Sequence, residues 1–103
     1  MKRLLILPRA EQDLNELAEY IARDNLDAAL GLYTAADLAF RRLVEMPDIG
    51  AKREYLNPRL AHLRMWPLPH YPNMLVFYET QNDDIRIVRI LHASRDIAGL
   101  FSE

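Results

Sequence analysis

A chain of 103 residues, 50% hydrophobic and 27% charged, reads as a single globular domain over residues 1–103, with enough apolar side chains to bury a core, which excludes disordered, collagenous and low-complexity classes. It contains no cysteine, so disulfides, thiol catalysis, thiolate zinc and iron–sulfur centres are excluded together, and a cytoplasmic location is expected. The formal charge is −2, with the acidic excess before Gly50, whereas a protein that grips phosphates normally carries a basic excess.

Leu4-Leu5-Ile6-Leu7 is too short for a signal-peptide core or a membrane span and reads as a strand ended by Pro8. From there Ala10, Leu14, Leu17, Ala18 and Ile21 recur at three- and four-residue spacing. That predicts an amphipathic helix with Glu11, Asp13, Glu16 and Glu19 turned away from its apolar stripe. Asp24 to Asp27 breaks the pattern, and Asp27 is the expected N-cap of a second helix carrying Leu32, Tyr33, Ala36, Phe40, Leu43 and Val44, stopped by Pro47 and Gly50. So short a connection makes an antiparallel helical hairpin. Leu30 and Leu38 lie off the main stripe of the second helix and extend its apolar surface. The stretch from Lys52 to Arg64, with Arg53, Arg59 and His62, is a local basic exception that could favour an anionic partner but reads more simply as a solvated loop.

Three strand-like segments follow. Leu63 to Trp66 ends in Pro67 and Pro69 and is expected to be short or at an edge, whereas Asn73 to Thr80 and Ile85 to Leu91 are rich in β-branched and aromatic residues. Gln81-Asn82-Asp83-Asp84 between the last two predicts a hairpin turn, with apolar residues on both faces of the strands. Ser94 is placed to cap a short terminal helix through Phe101. The expected fold class is therefore α+β: an N-terminal strand, an antiparallel helical hairpin packed on a small, largely antiparallel sheet, and a short C-terminal helix.

The three glycines, at Gly31, Gly50 and Gly99, are too scattered for a phosphate-binding loop, and His62, His70 and His92 lack the spacing of a metal box; no metal or cofactor is expected. Ser94 and Ser102 lie in no nucleophile elbow. What remains is a mixed cluster of Arg89, His92, Arg95 and Asp96, with Arg64 able to join it through space. A metal-free ribonuclease needs a base, an acid and cations for the developing phosphorane, and His92 and Arg95 suit two of these roles. The simpler reading of the same residues is a strand end and its ion pairs, since no acid partner for such a base is apparent.

The run Leu63-Arg64-Met65-Trp66-Pro67-Leu68-Pro69, then Leu75-Val76-Phe77-Tyr78, then Ile87 to Ile97 with its His-x-x-Arg-Asp-Ile exit, resembles the ParE branch of the RelE/ParE toxin superfamily. Pro8, Ala10, Asp13-Leu14, Tyr20-Ile21-Ala22, Asn25 and Pro47-Asp48-Ile49-Gly50 are similar to the early part of that family. Ala93 stands where the family often has Gly, Met74 where it often has Tyr, and Leu7 where a Ser commonly caps the first helix. In comparison with the RelE branch, Arg95 matches one arginine of its mRNA-cleaving set, but Met74 stands in place of another and Phe101 replaces a Tyr. The resemblance implies the toxin of a type II toxin–antitoxin pair that stabilises plasmids. Such a toxin inhibits growth by contact with DNA gyrase, has no catalytic residue, and is neutralised by a ParD-like antitoxin in a hetero-oligomer that meets DNA only through the antitoxin. No membrane partner is implied. The antitoxin contacts expected by analogy are Leu14, Leu17, Tyr20, Leu30 and Leu38, with Arg64, Arg89 and Arg95 anchoring acids of its tail. The alternatives are a ribosome-dependent endoribonuclease using His92, Arg95, Arg64 and Lys52, and a detoxified homologue that only binds antitoxin.

Overall fold

The computed structural model describes residues 3–52 and 62–94. In chain order these form β1 (Arg3–Ile6), α1 (Pro8–Ala22), α2 (Leu26–Glu45), β2 (Ala51–Lys52), β3 (Arg64–Leu68), β4 (Tyr71–Gln81) and β5 (Asp84–His92). The strands make one sheet in the order β1-β5-β4-β3-β2, with β1 parallel to β5 and every other pair antiparallel. The expected α+β plan holds, with the two-residue β2 as an addition. The segment expected to form the C-terminal helix lies outside the described residues.

Local chemistry explains the element ends. Helix α1 starts at Pro8, whose missing N–H needs no acceptor there, and Leu7 before it gives no side-chain cap. Asp27 is not the cap of α2. Asn25 has the extended backbone a cap requires, and its Oδ1 accepts the Ala28 N–H at 3.0 Å. Asp27 therefore falls inside the first turn, where its charge meets the positive helix end. Between β4 and β5, Asn82 and Asp83 both have positive φ, 51° and 69°, the pairing of a type I′ hairpin turn. Pro69 followed by His70 at φ 67° gives the β3–β4 connection the order of a type II turn.

The core lies between the helical hairpin and one face of the sheet. Ala29, Ala35, Ala36 and Ala39 line the inner side of α2 beside Leu32, Phe40 and Leu43, and such small residues let the helix approach its neighbours closely. The sheet contributes Val76, Tyr78, Ile85, Ile87 and Ile90 to this cluster. Alternation along β4 turns Leu75 and Phe77 the other way, into a second cluster with Leu91 and Met65, so the sheet is apolar on both faces as expected. The register between β4 and β5 shifts at Phe77/Tyr78, which pair with Arg89 and Ile87 and leave Val88 as the extra residue of a bulge.

Candidate functional site

The bulge in β5 decides the fate of two residues singled out from the sequence. Asp13 on α1 is not turned to solvent; it is 4% exposed and faces β5. Its carboxylate accepts from Arg89 Nε at 2.7 Å, Arg89 Nη2 at 3.1 Å and the Ile90 N–H at 3.1 Å, with Arg9 Nε 3.7 Å away. A buried carboxylate is tolerable only when paired in this way. Arg89, expected to anchor an acid of a partner, is instead half of an internal fork-to-carboxylate pair.

Arg64 is likewise committed inside the chain. Its Nη1 donates to the Gly50 carbonyl at 2.8 Å and the Asp48 carbonyl at 3.2 Å, and Nη2 lies 3.6 Å from the Asp48 carboxylate. The same turn is held from the sheet by Tyr78, whose buried hydroxyl donates to the Pro47 carbonyl and accepts the Gly50 N–H, both at 2.8 Å. Burial raises the Tyr78 pKa above its ordinary 10.0, against the opposing Gly50 N–H and Arg64 charge. A Cβ at Gly50 would stand 2.6 Å from the Tyr78 ring and hydroxyl, so only glycine fits this close approach.

The described members of the ribonuclease set, His92, Arg64 and Lys52, do not converge. His92 pairs across the ladder with Met74, and Arg64 with Tyr78, four residues farther along β4, or about 13 Å at the usual rise per residue. Lys52 is opposite Arg64 at the same far end, and Arg95 lies outside the described residues. His92 Nδ1 accepts the Ser94 N–H at 3.0 Å and lies 2.7 Å from Ser94 Oγ. The Nδ1 lone pair is thereby committed to the Ser94 backbone. Ser94, read from sequence as a helix cap, thus orients a histidine. His62, from the basic stretch, contacts Glu79 on the sheet.

The apolar candidates divide into two groups. Leu14 and Leu17 are partly buried against the core, whereas Tyr20 (68%), Leu30 (59%) and Leu38 (48%) remain exposed, together with Leu26 and Tyr33. Tyr20 lies under the Arg23 guanidinium at 5.8 Å, and Tyr33 donates to Asn15 across the hairpin at 2.7 Å. Leu30 and Leu38 are eight residues apart and so roughly 80° apart around α2, on separate surfaces. A cleft of about 530 Å³ between α1 and the end of β5 is lined by Leu17, Tyr20, Ile21, Met74, His92 and Ser94, among others. A second cleft, of about 680 Å³, runs between α2 and β3 past Leu38, Trp66, Pro69 and His70, and Arg42 lines it as well. Arg42 was missed in the sequence because nothing in its spacing separates it from Arg41, which pairs with Asp37 at 3.0 Å.

The arrangement offers two largely apolar clefts, and the described ribonuclease candidates His92, Arg64 and Lys52 do not meet. None of the described helices is long and apolar enough to cross a membrane. Residues 4–97 match the family model described as "ParE toxin of type II toxin-antitoxin system, parDE". Among solved structures the chain is similar to one described as "Chromosomal ParDE TA system from P. aeruginosa", with a TM-score of 0.73 and 19% identity over 89% of this chain and 96% of that one, a likeness of fold. No curated protein matches the chain.

Proposed function

Because this chain belongs to the ParE toxin family of type II toxin–antitoxin systems, we propose that it inhibits DNA gyrase by protein–protein contact and is neutralised by a ParD-like antitoxin. The observation that carries the contact mechanism is the state of His92. Its Nδ1 accepts from Ser94, and its place in the sheet is remote from Arg64 and Lys52, which speaks against these three described groups meeting at one phosphate. The exposed apolar side chains on α1 and α2 supply what a folding tail needs to bury.

The test is gyrase supercoiling and DNA cleavage with the purified chain, alone and after addition of a ParD-like ribbon-helix-helix antitoxin that binds it. Inhibition relieved by that protein is the expected result, and His92→Ala inhibits as well as the wild type. A folded chain that binds its antitoxin yet leaves gyrase untouched overturns the target. In that case, mRNA cut at ribosomal A sites identifies the nuclease alternative, and the absence of both effects identifies a homologue that only binds antitoxin.

A further inference from the structure

The charges beside the two clefts are used differently. In the α1–β5 cleft, the neighbouring cations Arg9 and Arg89 are both engaged with Asp13, and Arg9 also reaches Glu16. Arg64, on β3, is spent on the turn after α2. The α2–β3 cleft is apolar and aromatic, its lining among the described residues contains no acidic residue, and Arg42 borders it from α2. Among the described residues the Arg42 guanidinium meets no carboxylate, and its contact is the weak acceptor Met46 Sδ at 4.0 Å. A half-exposed leucine, a partly buried indole and an unneutralised guanidinium along one cleft form a receptor for an apolar side chain with an acid beside it.

We propose that this cleft seats an acidic–apolar segment of the antitoxin tail, a Leu, Phe or Trp entering against Leu38 and Trp66 while an adjacent Asp or Glu is held by Arg42. The assignment rests on the antitoxin reading above and moves the anion anchor away from Arg64 and Arg89, which the fold has already consumed. The His70 side chain, exposed on a turn with positive φ, borders the same cleft and offers a further donor to the segment's backbone.

The experiment is calorimetric titration of the full-length ParD-like antitoxin into wild type, Arg42→Gln and the control Arg41→Gln. It is repeated with each Asp and Glu of that protein's tail changed singly to its amide, and thermal unfolding confirms that every variant is folded. The expected result is a loss of about tenfold or more for Arg42→Gln and none for Arg41→Gln, with one tail acid whose amide costs nothing further once Arg42 is gone. Wild-type binding that Arg42→Gln leaves unchanged, or weakens without coupling to any tail acid, overturns the proposal and leaves the antitoxin reading standing. No binding to the wild type overturns both.

Discussion

Tyr78 shows how much one hydroxyl does in a chain this small. It closes the turn after α2 by donating to the part-buried Pro47 carbonyl and accepting from the buried Gly50 N–H. Removing it in Tyr78→Phe strands a carbonyl and an N–H, and the expected cost is about 1–3 kcal/mol by urea unfolding. The same group gives the stability a pH dependence. Because burial raises its pKa above 10.0, the unfolded chain loses this proton first, so stability is complete below about pH 10 and falls as pH rises through the folded value. In Tyr78→Phe that part of the alkaline decline is absent, which unfolding curves collected from pH 8 to 11.5 measure directly. Gly50→Ala presses a methyl into the same ring and is expected to cost about 1–3 kcal/mol.

Between elements, the Asp13–Arg89 pair fastens α1 to β5 at the bulge. Asp13→Ala strands the part-buried Arg89, and Arg89→Ala leaves the buried Asp13 with only the Ile90 N–H and the more distant Arg9, so each is expected to cost up to about 3–5 kcal/mol. The pair as a unit is a different matter, since its desolvation offsets much of its attraction. The double variant Asp13→Leu/Arg89→Met therefore recovers most of the loss, and the four proteins of the cycle, unfolded in urea, measure the coupling. A double variant no more stable than the singles would show that the Ile90 N–H, which also donates to Asp13, is the larger contribution.

For the whole molecule, the side chains that hold the fold and those offered to a partner are separable. Leu32, Leu43 and Ile87 are fully buried, whereas Leu26 and Leu30 protrude from α2. Leu26→Ser/Leu30→Ser is accordingly expected to shift unfolding by no more than about 0.5 kcal/mol per site while weakening antitoxin binding about tenfold or more. A large loss of stability in that variant would place these leucines in the core. Equal affinity would remove this flank from the binding surface.

The sequence by itself determined the element order, the helical hairpin, the β4–β5 hairpin turn and the two-faced apolar sheet, because hydrophobic period, turn residues and capping chemistry are local quantities. The near-complete run of family-like motifs determined the class of protein. Even local reasoning erred where two residues compete for one role, as when Asn25 took the cap from Asp27 by having the extended backbone. Only the tertiary structure decided which charges are free. Asp13, Arg89 and Arg64 look like surface groups in a linear reading, and they become internal because a bulge aims Arg89 at α1 and a turn places two carbonyls before Arg64. The pairing of a charge depends on contacts across 76 residues of chain, as for Asp13 and Arg89, and no period or spacing encodes such a contact. The same physics left Arg42 without a carboxylate among the described residues, beside a tryptophan that the sequence placed only on a neighbouring strand.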